Sequence, residues 1–439
     1  MDLTAHQRKP DIVFILADDL GWGDLSCYGR PDYGTACLDQ LAVQGVRLTQ
    51  AYANSSTCSP TRVALMTGRY QHRLQVGLEE PILPGCAVGL PEEQPTLPGL
   101  LREQGYRTAL VGKWHLGWLP SFGPLKSGYD EFFGAMGGEL DYFRHTATTG
   151  IGEGEAEGLF DGESLVQRTG YTTDLFTDRA VELLRKPRSE PLFLSLHYTA
   201  PHWPWEGPND AAVSRSLTKL VHYDGGSLAV FASMVSHLDR CVGRVLEAIE
   251  AAGNADNTIV IFTSDNGGER FSYMWPFVGE KGDLYEGGLR VPAIVRWPGV
   301  IPANRTGDQV CMSMDWLPTL LSAAGGTPPP SCASDGIDLL PILKGSPSVE
   351  RTLYWRTREQ VAVRSADWKY LRDGDLEFLF DLSIDQREQA NLKQRHADTF
   401  VTLKSMQAEW DRSMLAYPPK SWPGIKAIKS RFRNLEGTA

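Results

Sequence analysis

The chain has 439 residues with the composition of an ordinary globular protein, 42% of them apolar and 22% charged. This length is sufficient for a large core and more than one structural unit. The net charge of −11, without an evident basic patch in the sequence, argues against nucleic acid as a partner, although a local cluster of cationic side chains can still bind an anionic substrate.

The N-terminal apolar run, residues 11–16, is too short for the hydrophobic region of a signal peptide or for a membrane span. We therefore expect it to be the first core strand of a cytoplasmic protein that does not bind membranes. A signal peptide removed beforehand would instead make the protein periplasmic or secreted. The seven cysteines are scattered and include no Cys-x-x-Cys pair, which predicts reduced thiols rather than a disulfide framework or a zinc site.

Short apolar runs alternate with helical segments along the first two thirds of the chain. Runs rich in β-branched and apolar residues predict strands at residues 12–16, 108–111, 192–197 and 258–262. Helices are predicted between them at residues 97–104, 173–185 and 231–252. This alternation predicts an α/β fold with a large, mostly parallel central sheet and helices on both faces. Ligands bind such sheets at the carboxyl ends of the strands.

The C-terminal part of the sequence has a different pattern, with short strands in succession instead of strands alternating with helices. Short strands separated by tight turns are predicted at residues 352–356, 360–363, 368–371 and 376–380, and a helix at 397–416. These elements predict a small antiparallel sheet packed with a helix. We therefore expect a catalytic α/β domain at 1–340 and a C-terminal subdomain at 341–439. The Gly- and Glu-rich segment at 150–170 is predicted to be a surface insertion.

Cys58 begins the segment with the most information about function, which runs to Arg69. Pro60 suits the first turn of a helix, and Gly68 is a suitable helix stop. Arg62 follows Cys58 by one helical turn, so the two side chains can face the same place. The N-terminus of a helix favours anions. On these residues alone, however, a single cysteine before a helix is more commonly a small buried apolar residue.

Two acidic pairs each follow a predicted core strand. Asp18 and Asp19 come after strand 12–16, and Asp265 and Asn266 after strand 258–262. Adjacent carboxylates in loops are commonly just solvated, but these two pairs lie where a parallel sheet binds ligands. Three carboxylates and an amide oxygen form a hard ligand set that suits Ca²⁺ or Mg²⁺ rather than Zn²⁺.

Two further strands are followed by basic side chains. Lys113 and His115 come after strand 108–111 and, being two residues apart, can point the same way. His202 lies in an aromatic loop after strand 192–197, where a histidine is as often structural as functional. A histidine can transfer protons near neutral pH.

Taken together, these segments resemble the type I sulfatases of the alkaline phosphatase superfamily. The stretch from Cys58 to Arg69 resembles their signature, and residues 112–117, Gly-Lys-Trp-His-Leu-Gly, resemble a second family element. Residues 380–385 resemble a common tail motif. In that family a maturation enzyme oxidises the cysteine to formylglycine, whose hydrated aldehyde is the nucleophile. The resemblance therefore implies an arylsulfatase-like sulfuric ester hydrolase acting on an aryl or carbohydrate sulfate ester.

The same resemblance implies a role for each site residue. A Ca²⁺ ion, with Mg²⁺ less favoured, would be bound by Asp18, Asp19, Asp265, Asn266 and the formylglycine at position 58. Lys113 and His115 would contact formylglycine and sulfate, and His115 would be the base that releases sulfate from the enzyme. His202 and Lys281 would bind sulfate, with His202 protonating the leaving oxygen. The implied catalytic residues are Cys58, Arg62, Lys113, His115, His202 and Lys281.

One departure from the family pattern concerns the substrate loop. Some sulfatases have a serine in the loop after the Lys-Trp-His element, where this chain has Gly137 or Gly138. The residues that we expect to bind the substrate are Asp141, Tyr142, His145 and Trp203, with ordinary loop or core positions as the alternative. We expect a small aryl or monosaccharide-sized ester.

Two other functions remain as alternatives. The same site could hydrolyse phosphonate monoesters or phosphodiesters, because those anions resemble a sulfate ester in shape and charge. A binding protein with a degenerate site is disfavoured, because every expected ligand and catalytic position is filled. The sequence predicts no particular oligomeric state.

Overall fold

A ten-stranded sheet forms the centre of the larger part of the chain in the computed structural model, which describes residues 8–83, 86–146, 158–218, 222 and 225–419. In chain order, the strands are β1 (Asp11–Ala17), β2 (Val46–Leu48), β3 (Ala51–Tyr52), β4 (Arg107–Lys113), β5 (Glu131–Ala135), β6 (Leu159–Asp161), β7 (Ser164–Val166), β8 (Leu192–His197), β9 (Thr258–Ser264), β10 (Ala293–Arg296), β11 (Arg305–Gly307), β12 (Cys311–Met312), β13 (Thr352–Arg356), β14 (Gln360–Ser365), β15 (Trp368–Asp373) and β16 (Leu376–Asp381). The α-helices are α1 (Ala36–Val43), α2 (Cys58–Thr67), α3 (Leu97–Glu103), α4 (Thr172–Arg185), α5 (Ala211–Ser216), α6 (Leu228–Ala251), α7 (Glu286–Leu289), α8 (Trp316–Ala323), α9 (Leu340–Leu343) and α10 (Ala397–Arg412).

The strand order of the large sheet is β11-β2-β10-β9-β1-β8-β4-β5-β6-β7. Its middle is parallel, since β1 pairs in parallel with β8 and β9, and β4 with β8 and β5. Antiparallel pairing enters on either side, through β10 on one side and β6 and β7 on the other. The carboxyl ends of β9, β1, β8 and β4 therefore lie side by side along one edge of the sheet.

Helices cover both faces of this sheet. On β1, Phe14 and Leu16 pack in one hydrophobic cluster with side chains of α2, α3 and α8, whereas Val13 and Ile15 pack in a second cluster with α1, α4 and α6. A strand that is buried on both faces needs apolar residues at every position, which explains the unbroken apolar run. The predicted α/β fold with helices on both faces is confirmed.

The predicted surface insertion at 150–170 differs in part from the structure. Residues 150–157 lie outside the described residues. Strands β6 and β7, in the described remainder, extend the edge of the sheet by antiparallel pairing beyond β5. Each has three residues, too few to produce a clear alternating pattern in the sequence.

The small sheet is antiparallel, in the order β13-β14-β15-β16. Helix α10 packs against β14 and β15, so the predicted antiparallel sheet with its helix is confirmed. The helix ends at Arg412, four residues before the predicted end. A shared hydrophobic cluster joins the small sheet to the larger part, and the indole of Trp355 donates a hydrogen bond to the Ala53 carbonyl (2.9 Å). The boundary between residues 340 and 341 stays a prediction.

Among the described helices, we find none with the length and apolar character that crossing a bilayer requires.

Candidate active site

The predicted site residues lie together at the carboxyl edge of the parallel strands. Asp18 and Asp19 directly follow β1, and Asp265 and Asn266 directly follow β9. Lys113 is the last residue of β4. Because β9, β1, β8 and β4 are neighbours and the pairs along this row are parallel, the segments that follow them converge. The structure therefore brings together residues that are far apart in sequence.

Cys58 is the first residue of α2 and is almost fully buried. The helix ends at Gly68, which has a φ of +65° and donates its N–H to the Ala64 carbonyl. The Sγ atom of Cys58 lies 3.6 Å from Oδ1 of Asp18. Burial raises the pKa of the Cys58 thiol, although Lys113 and other cations lower it. This thiol is therefore neutral near pH 7, unlike the reactive thiolates of cysteine enzymes.

Arg62 points at the acidic pairs, as its spacing from Cys58 predicts. Its Nε and Nη2 atoms donate to Oδ2 of Asp265 at 3.1 and 2.8 Å. Its Nη1 atom donates to the Lys113 carbonyl (3.1 Å) and lies 3.3 Å from Nδ1 of His197, at the end of β8. Because two of its nitrogens donate to the same carboxylate oxygen, the plane of the guanidinium is fixed inside the protein.

Two buried lysines hold the other carboxylates. Lys113 Nζ donates to Oδ2 of Asp18 at 2.6 Å, and Lys281 Nζ donates to Oδ2 of Asp19 at 2.7 Å. Burial is the largest single effect and lowers the pKa of each lysine, but the paired aspartate and the other acidic groups nearby together outweigh it, so the pKa of each lysine is raised. Both ammonium groups are therefore charged at neutral pH, which gives the site a fixed positive charge for an anionic substrate.

The two acidic pairs differ in their charge environment. Burial and the neighbouring Asp265 raise the pKa of Asp18, despite the opposing effect of Lys113. Burial also raises the pKa of Asp265, but Arg62 and Lys113 outweigh it and hold that pKa below its usual range. Neighbouring carboxylates repel each other unless cations compensate them, so this concentration of acids requires positive charge.

The donor groups of this site are close enough together to hold a metal ion. The ligand atoms of Asp18, Asp19, Cys58 and His202 all lie within 4.8 Å of one another. Asn266 donates through Nδ2 to Oδ1 of Asp19 (2.7 Å), whereas its Oδ1 is buried and has no hydrogen-bond partner among the described residues. Buried amide oxygens are normally paired, so an oxygen left free beside carboxylates is a suitable metal ligand. His202 joins this group, although the sequence predicts it only as a catalytic residue.

His115 presents a free ring nitrogen. Its Nε2 atom lies 2.9 Å from the Ile82 carbonyl and must carry the proton there, while Nδ1 is buried without a partner among the described residues. Burial, followed by the charge of Lys113, lowers the pKa of His115 well below the usual value. The imidazole is therefore neutral, with a lone pair on Nδ1 that can accept a proton.

His202 faces the acidic cluster from the loop after β8. Its Nδ1 atom lies 2.5 Å from the Trp203 carbonyl, and its Nε2 atom lies 3.6 Å from Oδ2 of Asp19. Burial, followed by the charges of Lys281 and Lys113, lowers its pKa. The carbonyl fixes the ring so that Nε2 is the nitrogen directed at the site.

The predicted substrate-binding residues occupy several kinds of position. Asp141 accepts from the backbone N–H groups of Phe143 and Arg144 and from Ser214 Oγ, so it orders its own loop. Tyr142 is fully buried and donates to the carbonyls of Thr199 and His202, which supports the His202 loop. These contacts favour the alternative of ordinary loop and core positions for Asp141 and Tyr142.

The other two predicted residues lie beside a cavity or are partly exposed. His145 lines a cavity of about 570 Å³ with Arg144 and Arg168, and its Nε2 lies 3.0 Å from the Gly170 carbonyl. Trp203 is half-buried, and its indole donates to Oε2 of Glu269 at 3.1 Å. Sequence reasoning missed Glu269, although its place three residues after Asn266 is a signal.

Gly138 contacts the His115 ring so closely that any larger residue would have to displace the ring. A Cβ atom at position 138 would lie 2.3 Å from Cε1 of the His115 ring. This contact gives a physical reason for glycine where some sulfatases have serine.

We expect Gly138→Ala to lower kcat/KM about 100-fold, because the added methyl displaces the His115 ring and misplacement by about 1 Å has effects of this size. Steady-state kinetics on an aryl sulfate, with a thermal melt of the same sample, measures this. The matched control is Gly34→Ala, where a Cβ has nothing within 4 Å. Equal kinetics for the two variants would contradict the tight contact.

A second group of metal-type side chains lies between α4 and α6. His237 Nε2 is 3.0 Å from Oδ1 of Asp174, and Cys241 Sγ is 3.7 Å from the same oxygen. Arg240 contacts Nδ1 of His237, and Arg244 contacts Asp174. Two guanidinium groups beside this cluster oppose the binding of a dication, so we interpret it as a hydrogen-bonded contact between helices.

Comparison with known proteins agrees with this geometry. The Sulfatase family model matches residues 10–326, and the model described as N-sulphoglucosamine sulphohydrolase, C-terminal, matches residues 278–412. N-acetylgalactosamine-6-sulfatase of Canis lupus familiaris is 34% identical over 387 residues, covering 82% of this chain and 71% of that protein.

Solved structures show the same relationship. Ps i-CgsB, solved in complex with k-i-k-neocarrahexaose, superposes with a TM-score of 0.85 at 30% identity, covering 98% of both chains. The phosphonate monoester hydrolase of Agrobacterium radiobacter has a TM-score of 0.67 at 20% identity, covering 92% of this chain and 96% of that one, and so shares the fold.

The fold and the buried cationic site define a hydrolase of the alkaline phosphatase superfamily. Within it, this chain belongs to the sulfatase family and is a sulfuric ester hydrolase.

Proposed function

We propose that this enzyme removes sulfate from a carbohydrate sulfate ester, using formylglycine made from Cys58 and a Ca²⁺ ion. The observation that carries the proposal is the convergence of Arg62, Lys113 and Lys281 with two acidic pairs around Cys58. This arrangement places the proposed nucleophile beside cationic groups that can bind the sulfate anion and beside oxygen atoms that can bind a metal ion. The proposal also requires a maturation enzyme that oxidises Cys58, since a buried neutral thiol is a poor nucleophile.

The metal would be held by Asp18, Asp19, Asp265 and Asn266 together with position 58. All-oxygen ligand sets with several carboxylates suit Ca²⁺, while Mg²⁺ demands a stricter octahedral geometry. The unpaired Oδ1 of Asn266 supports its inclusion. When bound, the cation would supply positive charge to the sulfate oxygens, and the formylglycine hydrate would supply the attacking hydroxyl.

The cationic side chains would bind the sulfate group. Arg62, Lys113 and Lys281 are buried and charged, and buried charges interact with an anion more strongly than charges in water. Their contacts to Asp18, Asp19 and Asp265 hold them in place before the substrate arrives, so little reorganisation is needed.

Two histidines would move the protons. His115 would accept a proton at Nδ1, the ring nitrogen without a hydrogen-bond partner among the described residues, in the step that releases sulfate. His202 would donate a proton from Nε2 to the leaving oxygen in its doubly protonated form, because Nδ1 already donates its proton to the Trp203 carbonyl. The bound sulfate would favour this form, since its negative charge offsets the charges of Lys281 and Lys113 that lower the pKa of His202. The Trp203 carbonyl keeps Nε2 oriented toward the reacting group.

The names of related proteins support a carbohydrate as the alcohol. One relative is an N-acetylgalactosamine-6-sulfatase, and one structural neighbour was solved with k-i-k-neocarrahexaose. Trp203 is half-buried and could stack on a sugar face. An aryl sulfate would then be an artificial substrate that shares the sulfate site.

Metal removal tests the proposed cation. We expect treatment with a chelator to abolish turnover of a sulfate ester and Ca²⁺ to restore it more fully than Mg²⁺. Asn266→Ala should raise the Ca²⁺ concentration for half-maximal activity about 10-fold or more, because a ligand oxygen is lost. The matched control is Asn257→Ala, directly before the first residue of β9 and at the opposite end of that strand from the site. Full activity in a sample that elemental analysis shows to be metal-free would contradict the proposal.

A phosphonate monoester or phosphodiester hydrolase is the alternative function, supported by the fold shared with the Agrobacterium radiobacter enzyme. Parallel measurement of kcat/KM on aryl sulfate and aryl phosphonate monoester separates the two. A higher value for the phosphonate ester would favour the alternative.

For localisation we propose the cytoplasm, a reducing compartment. All seven cysteines are free in the structure, which supports this proposal.

A further inference from the structure

Glu139 lies in a loop that is fixed directly to the catalytic segment. This loop follows β5, and its Met136 carbonyl accepts the backbone N–H of His115 at 3.0 Å. Gly138, the residue before Glu139, packs against the His115 ring. On the other side, Leu140 is buried in the core. The backbone of Glu139 therefore has a defined position at the rim of the site.

The Glu139 carboxylate differs from the other acids of the site, because it has no hydrogen-bond or ion-pair partner in the part of the chain that the structure describes. Asp18, Asp19 and Asp265 each contact a lysine or arginine, whereas no described residue makes a hydrogen bond or ion pair with the half-buried Glu139 side chain. Burial raises the pKa of Glu139, and the charges of Lys113 and Lys281 partly oppose this. Its carboxylate is therefore within the electrostatic reach of both lysines that would bind sulfate.

We propose that Glu139 determines specificity by accepting hydrogen bonds from hydroxyl groups of the alcohol beside the sulfate ester. A carboxylate is an acceptor without donors, and sugar hydroxyls are donors at neighbouring carbons. The same charge disfavours a second anionic group at that place. This inference rests on the proposed function and narrows its substrate to a sulfated sugar with a free hydroxyl next to the sulfate.

A comparison of a sulfated sugar with an aryl sulfate tests this inference. An aryl sulfate has the same sulfate group as a sulfated sugar but no neighbouring hydroxyl. We expect Glu139→Ala to lower kcat/KM for a monosulfated sugar about 10- to 100-fold, the usual effect of losing a hydrogen bond to a charged group. For 4-nitrophenyl sulfate we expect a change of less than about threefold. Glu139→Gln, which keeps one acceptor oxygen, should fall between the wild type and Glu139→Ala on the sugar.

The sugar is chosen from a panel of monosulfated sugars, as the one that the wild-type enzyme cleaves with the highest kcat/KM. The panel contains galactose 3-sulfate and galactose 4-sulfate, which have a free hydroxyl on a neighbouring ring carbon, and N-acetylgalactosamine 6-sulfate, whose neighbouring carbon 5 has none. A preference for the last sugar would contradict the inference. The matched control is Glu163→Ala, at an exposed turn between β6 and β7, which should leave both rates unchanged. Equal losses on sugar and aryl sulfate would overturn the inference, because Glu139 would then act through the lysines or His115. An unchanged rate on the sugar would overturn it as well. A wild-type enzyme that cleaves aryl sulfate but no sugar of the panel would contradict the proposed carbohydrate substrate itself.

Discussion

Cys58→Ala is expected to abolish turnover of any sulfate ester while the protein stays folded. The proposed nucleophile is made from this side chain alone, and loss of a nucleophile that acts in covalent catalysis costs on the order of 10⁵-fold or more in kcat. Among the described residues, the Sγ atom has one hydrogen-bonding contact, with Oδ1 of Asp18 at 3.6 Å. Alanine is a good residue for the first turn of α2, so the free energy of unfolding should fall by only about 1 kcal/mol.

The matched control is Cys311→Ala, which removes another buried thiol, on β12 and outside the site. It should lose a similar amount of stability and keep its activity. Cys58→Ser should be nearly as inactive as Cys58→Ala, unless the protein is made with a maturation enzyme that accepts serine. Mass spectrometry of the peptide that contains residue 58 shows whether that residue is cysteine or formylglycine in the wild-type protein. An unmodified thiol in a fully active sample would contradict the formylglycine proposal.

Local patterns made much of this site predictable from the sequence. The run at β1 is apolar throughout because both faces of the strand are covered, and Asp18 and Asp19 follow it without a gap. The spacing of Cys58 and Arg62 similarly predicts that both face one place, and the structure has them on the first turns of α2. Strand ends and helix starts fix the directions of these side chains within a few residues of chain.

The pairing of charges was not predictable, because the partners are distant in sequence. Arg62 and Asp265 are 203 positions apart, and Lys113 and Asp18 are 95 positions apart. Glu139 belongs to no motif, and only the packing of its loop on His115 reveals its place. Lys369 looks like an exposed residue of a short strand, yet it is fully buried. The roles of such residues depend on tertiary contacts with residues distant in sequence, so a short stretch of sequence does not predict them.

Lys369→Met is expected to lower the free energy of unfolding by about 3–5 kcal/mol, because breaking a buried ion pair leaves charges without compensation. Lys369 Nζ, on β15, lies 2.9 Å from Oε1 of Glu286 and 2.8 Å from Oε1 of Glu388. All three side chains are fully buried. Glu286 is also held by Tyr52 and Arg290. Within the described part of the chain, the Glu388 carboxylate has only the backbone N–H of Glu286 besides the lysine. In the variant, Glu388 is therefore the carboxylate that loses most of its charge compensation, and it accounts for most of the expected fall in the free energy of unfolding.

Urea unfolding of wild type and variant measures this loss, and its pH dependence identifies the cause. Burial raises the pKa of Glu388 from 4.5 to about 7, against the lowering effect of Lys369. Removal of Lys369 should raise this pKa further. A carboxyl group whose folded pKa lies above its unfolded value gives most stability below pH 4.5 and loses it as the pH rises. Wild type and variant share this loss up to about pH 7, where Glu388 ionises in the wild type but stays protonated in the variant. The deficit of the variant that comes from Glu388 should therefore grow as the pH rises above about 7.

The matched control is Lys404→Met, which breaks the half-exposed pair with Glu377 at the surface of α10. This change should alter the free energy of unfolding by less than about 1 kcal/mol at any of these pH values. A similar small effect for Lys369→Met would contradict the interpretation of the buried pair. The cluster also connects the small sheet to α7, which begins five residues after Lys281. A variant that remains folded but binds sulfate more weakly would therefore show that the C-terminal sheet helps to position this lysine.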